Sequence, residues 1–152
     1  MKIVVQRVSR ASVSISSKTF SSIDSGLVLL VGISKTDGPE DIQYLVNKII
    51  NLRLFSSETS NFDISVKDAN YPILVVSQFT LYGDTKKGRR PSFTMAAAPE
   101  IASTIFNQLV TNFEQTGVVI KTGKFQSNMI VEIINDGPVT LLLDSKDKIN
   151  TP

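Results

Sequence analysis

The sequence predicts an α/β fold: one domain over residues 1–152, built as a mixed β-sheet or open barrel with two helices packed on it. The predicted order is ββ, then βα twice, then βββ. Three observations lead there. Two apolar runs, at 27–33 and 73–81, are continuous rather than alternating, as in strands buried on both faces. Two stretches open with proline and acid, Pro39-Glu40 and Pro99-Glu100, and continue with apolar residues at helical spacing. At 152 residues the chain is long enough to stand on its own core, burying roughly 70% of its unfolded surface.

Taken in order, residues 2–15 are rich in Val and Ile and roughly alternate, which predicts a strand. Ser16, Ser17 and Lys18 form a turn, and 19–23 return as a short strand. After a second turn at Asp24-Ser25-Gly26, residues 27–33 form a buried strand. Gly38-Pro39-Glu40-Asp41 opens the first helix, whose acids complement the helix dipole. Its buried stripe is Ile42, Leu45, Val46, Ile49 and Ile50. Residues 52–55 read as a short strand, and 56–70 are polar and irregular. The central strand spans 72–80, and 82–98 form a long loop. The second helix starts at Pro99 and presents Ile101, Ala102, Ile105, Phe106, Leu109 and Phe113; Gly117 ends it. Strands at 118–122, 129–134 and 139–143 follow, the last two separated by a turn at Asn135-Asp136-Gly137-Pro138.

Composition excludes several chemistries. The chain has no histidine and no cysteine. Thiolate catalysis, disulfides and the usual zinc sites are therefore unavailable. No apolar segment follows Met1-Lys2-Ile3-Val4-Val5 before Gln6 and Arg7, so no signal peptide is expected. No stretch approaches the ~18 apolar residues of a membrane span. With the absence of cysteine, which suits a reducing compartment, these features predict a cytoplasmic protein. The net charge of +2 does not announce a nucleic-acid binder.

Three clusters carry candidate chemistry. In Ser77-Gln78-Phe79-Thr80, hydroxyls and an amide arrive where a buried strand ends, which is where open α/β sheets keep their ligands. Backbone N–H groups at such a strand end can stabilise an oxyanion. A serine or threonine nucleophile needs a base, usually histidine, and none exists here. Asn135-Asp136-Gly137-Pro138-Val139-Thr140 is first of all turn chemistry. Its Gly-Pro step also offers unpaired carbonyls to a ligand. Lys86-Lys87-Gly88-Arg89-Arg90 places four cations in five residues just after the first cluster. Such a run is commonly a solvated loop, but beside a strand-end site it suits a phosphate backbone.

Together these residues closely resemble the D-aminoacyl-tRNA deacylase (D-tyrosyl-tRNA deacylase) family, over nearly the whole chain. The resemblance begins with Gln6-Arg7-Val8 and the 26–32 strand and includes 48–55. It is strongest in Ser77-Gln78-Phe79-Thr80-Leu81, Lys87-Gly88-Arg89-Arg90-Pro91-Ser92-Phe93 and Asn135-Asp136-Gly137-Pro138-Val139-Thr140. It implies a homodimeric hydrolase that cleaves the ester between a D-amino acid, or glycine on mischarged tRNA, and the 3′-terminal adenosine of tRNA. It further implies that Gly137-Pro138, joined by a cis bond, reaches into the partner's pocket and excludes L-amino acids, with Arg7 orienting the motif. By the same resemblance Ser77, Gln78, Phe79, Thr80, Phe125 and Met129 line the pocket, and the N–H groups near Phe79 and Thr80 hold the ester carbonyl. The tRNA's 2′-hydroxyl or Thr80 is the catalytic group, and Lys86, Lys87, Arg89 and Arg90 face tRNA. No cofactor and no metal is implied. One departure is Phe125-Gln126-Ser127-Asn128-Met129, where the family usually has Phe-Gly-Ala before the position matching Met129.

Two other readings compete with this one. A non-enzymatic RNA-binding module would rest on the cationic run alone and would bind RNA without turnover. A hydrolase of another ester would use Ser77 or Thr80 as a covalent nucleophile, which the missing histidine disfavours.

Overall fold

The structure, a computed structural model, describes residues 1–148; the last four residues of the expected 1–152 domain lie outside the described residues. The first strand, β1 (Lys2–Ile15), is the spine of the sheet. On one side it pairs antiparallel with β3 (Gly26–Gly32) along its first half and with β2 (Lys18–Ile23) along its second. On the other side it pairs with β8 (Ile130–Asp144) along almost its whole length. β3 pairs in parallel with β6 (Ile73–Ser77), and β6 with β7 (Ile120–Thr122). The sheet curls until its ends meet, and the Ser21 hydroxyl donates to the Thr122 carbonyl at 2.7 Å across the gap between β2 and β7. The mixed sheet, curled into an open barrel under two helices, is the fold the sequence predicts.

The unalternating apolar runs are explained by two cores. In β6, Ile73 and Val75 face the helices while Leu74 and Val76 face the barrel interior, and all four are buried. β1 changes side midway. Ile3 and Val5 face the helices, whereas Val8, Ala11 and Val13 face the interior. The register slips between Val8 and Arg10, and one extra residue there inverts the parity of every side chain beyond it.

Helix α1 (Pro39–Asn51) starts where its proline and acids predict, with the Gly38 N–H donating to the Asp41 carboxylate at 2.9 Å, and buries all five predicted residues. Helix α2 (Pro99–Glu114) buries Ile105, Phe106, Leu109 and Phe113, with Ala102 half-buried. Ile101 is a correction: it is 54% exposed. At about 100° per residue it sits about 90° from the centre of the stripe formed by the other five. Phe113 is fully enclosed. Phe113→Ala is expected to cost about 3–5 kcal/mol. At about 2–4 °C per kcal/mol for a chain of this size, the melting temperature should fall by about 6–20 °C, readable by calorimetry.

The segment between α1 and β6 contains a small ribbon, β4 (Arg53–Phe55) with β5 (Ile64–Ser65). The largest departure from expectation lies in β8. Residues 129–134 and 139–143 are not two strands hinged by a turn; they are one paired strand interrupted by a bulge. Val8 pairs with Asn135 and Gln6 with Thr140, so a single residue, Arg7, faces Asp136, Gly137, Pro138 and Val139. Turn chemistry is present, but both flanks run in one direction along the same partner, so the chain bows out and returns.

Candidate active site

β6 stops at Ser77, not at Thr80 as predicted, because its partner β3 ends: Val31 with Ser77 is the last pair. The Gln78 N–H makes one more bond, to the Val31 carbonyl at 2.7 Å. The chain then tightens into a 3₁₀ turn, Phe79–Tyr82. That turn lies on Gly32. A Cβ on Gly32 would sit 2.9 Å from Leu81 Cβ and 3.2 Å from the Gln78 carbonyl oxygen.

A cavity of about 740 Å³ opens at this strand end. Ser77, Gln78 and Phe79 form one wall, and Phe125 and Met129 another, as anticipated. Residues not expected as pocket lining are Phe93, Ala96, Ala97 and Ala102, and Gln126-Ser127-Asn128, the stretch that departs from the family pattern, lines it as well. Among the described residues no ionisable side chain lines the cavity.

Thr80 lies beside the cavity, exposed, and its hydroxyl accepts a hydrogen bond from the Gln78 side-chain amide. An amide donor cannot take the threonine proton, so this contact does not activate Thr80 as a nucleophile. The backbone N–H groups of Phe79 and Thr80, at the start of the turn, find no acceptor among the described residues. They are therefore free donors. Tyr82 ends the turn. Burial, and next the Asp37 carboxylate, push its phenol up to about 12, so it stays neutral at physiological pH.

Gly137 and Pro138 are exposed in the β8 bulge and are not among the residues that line the cavity. Their peptide bond is cis, and Gly137 has φ +117°. Arg7 is close by: its Nε donates to the Asp136 carbonyl at 3.3 Å and its Nη1 to the Leu54 carbonyl at 2.7 Å, while the Asp136 carboxylate lies 3.4 Å from Nε. Lys86, Lys87, Arg89 and Arg90 are exposed on a finger whose base is closed by paired bonds between Asp84 and Ser92, at 2.7 and 2.9 Å. The Phe79 and Phe93 rings meet edge to face at 5.0 Å beside that base.

Fold and site define a class: a curled mixed sheet with two helices, whose strand-end cavity offers hydroxyls, amides and backbone donors without an acid or base. Comparison with known proteins gives the family. The family model described as D-Tyr-tRNA(Tyr) deacylase matches residues 4–144, and the chain belongs to that family. A D-aminoacyl-tRNA deacylase of Dehalococcoides mccartyi is 51% identical over 99% of this chain and 98% of its own length. One from Thermoanaerobacter is 53% identical over 96% and 98%. The solved structure of the c-Myc DNA unwinding element binding protein is similar at TM-score 0.90 and 43% identity, over 95% of this chain and 98% of that one. A probable eukaryotic D-amino acid tRNA deacylase shares the fold at TM-score 0.78 and 14% identity, over 93% and 97%.

Proposed function

We propose that the protein hydrolyses the ester between a D-amino acid and the 3′-terminal adenosine of tRNA, and also clears glycine from mischarged tRNA. The observation that carries this reading is the cavity without an ionisable side chain. Such a site can orient an ester and stabilise its oxyanion through the Phe79 and Thr80 N–H groups, but it supplies no base. A substrate that brings its own reactive hydroxyl, the 2′-OH beside the ester, completes it. The same strand-end groups serve a D-aminoacyl ester and the smaller glycyl ester alike.

The enzyme works as a homodimer in which Gly137 and Pro138 of one protomer enter the partner's cavity and exclude an L side chain. Support comes from β8, which among the described residues pairs along one side only and leaves a long edge with Ile134, Leu141 and Leu142 exposed. Unpaired apolar edges of that length invite a second chain. Arg7 orients the bulge, and Lys86, Lys87, Arg89 and Arg90 face the tRNA phosphates. No helix among the described residues is long and apolar enough to cross a membrane, and tRNA as substrate fits a cytoplasmic enzyme.

The test compares D-Tyr-tRNA with L-Tyr-tRNA, following amino-acid release. The D form is expected to react at least about 100-fold faster, since a steric clash of a few kcal/mol separates the two. Equal rates, or no release from the D form, would refute the proposal.

A further inference from the structure

We propose that Asn135 is a positioning residue, whose side-chain amide clamps the neck of the β8 bulge and sets where Gly137 and Pro138 stand. The inference rests on the selective role proposed for that motif. Its geometric basis is a set of bonds spanning the gap in the ladder. The Asn135 Nδ2 donates to the Arg7 carbonyl of β1 and to the Val139 carbonyl at the far end of the bulge, both at 3.0 Å. Its Oδ1 accepts from the Thr140 hydroxyl at 3.3 Å, and that hydroxyl accepts from the Gln6 amide at 3.2 Å.

These bonds stand where the backbone ladder is missing. Asn135 and Thr140 are the last paired residues on either side of the bulge, and the amide joins them. Arg7 is thereby held at both ends, its carbonyl by Asn135 and its guanidinium against the Asp136 carbonyl. The chemistry demands an amide. Two carbonyls need two donors from one atom, and the hydroxyl needs an acceptor beside it. Aspartate, of the same shape, would turn lone pairs toward both carbonyls. A space-filling role would tolerate that change; a clamp would not.

The experiment measures kcat/KM on D-Tyr-tRNA, the L-to-D rate ratio and the melting temperature for the full-length protein and four variants. Asn135→Asp and Asn135→Ala are expected to lower kcat/KM on the D form by about 10–100-fold, Asp at least as severely, because two carbonyls lose their donor. The L-to-D ratio should rise, while the exposed bulge leaves melting within a few degrees. Thr140→Val should lose up to about 10-fold in the same direction, with Thr140→Ser restoring it. A D-selective enzyme whose Asn135→Asp variant keeps its rate and its L-to-D ratio overturns the clamp alone. So does a loss that tracks melting with the ratio unchanged. A wild-type protein that does not favour the D form overturns the functional reading and the clamp together.

Discussion

Gly137→Ala is expected to lower deacylation of D-Tyr-tRNA by about 10–100-fold while the protein stays folded. Gly137 holds φ +117°, a region that L side chains rarely enter. Forcing a side chain into it costs about 1–3 kcal/mol, which corresponds to that range of rates if the motif must keep its place in the transition state. Space is also short: the added Cβ would lie 2.7 Å from Arg7 Nη2 and 2.9 Å from Val139 Cγ2. The guanidinium is the flexible end of its side chain and can yield, but yielding draws it from the Asp136 carbonyl and the bulge loses its tether. At about 2–4 °C per kcal/mol, strain of that size lowers melting by no more than about 2–12 °C, which leaves the protein folded at assay temperature. Initial rates and a thermal melt on one preparation check both halves. An unchanged rate would show that the position of the bulge does not limit the reaction.

Much of the fold was legible because its local signals agree with its tertiary demands. Pro39, the first-turn acids and the five-residue stripe of α1 point the same way, and the helix forms as read. Ile101 was misread: it is apolar and sits four residues from Ile105, which satisfies helical spacing, yet the other five apolar residues centre the stripe about 90° away and leave it exposed. The 135–138 segment was misread for the opposite reason. Its residues are turn residues, and nothing local reveals that both flanks will pair with β1 in one direction. That fact belongs to a contact some 130 residues away in sequence. In the site, Ser77 and Gln78 were visible as polar groups closing an apolar run. The loop residues Phe93, Ala96 and Ala97 follow no period, so only the closed fold shows that they line the cavity. Asn135 was visible as a turn former, while its clamp depends on Arg7 and Thr140 arriving from two strands.

Replacing the terminal adenosine of D-Tyr-tRNA by its 2′-deoxy form is expected to slow release by about 10²–10⁴-fold, the usual worth of a positioned acid–base group. Thr80→Ala should cost no more than about 10-fold, the worth of one neutral hydrogen bond. The contrast follows from the inventory of the site. Ser77 lines the cavity and Thr80 lies beside it, and among the described residues no carboxylate, ammonium or histidine lines the cavity to take a proton from either. Thr80 is already engaged by the Gln78 amide, which leaves its proton where it is. Tyr82, the titratable group of the same turn, is held neutral well above physiological pH. On the proposed mechanism the protein contributes geometry and free backbone donors, and the reactive oxygen is the one the RNA carries. The proposed phosphate contacts of the cationic finger leave the sugar hydroxyl untouched, so the two substrates should bind alike and the loss belongs in kcat. Single-turnover rates on the paired substrates, with wild type and Thr80→Ala, separate the alternatives. A deoxy substrate hydrolysed at the normal rate, together with a Thr80→Ala variant slowed a thousandfold, would move the catalytic role from the RNA back to the protein.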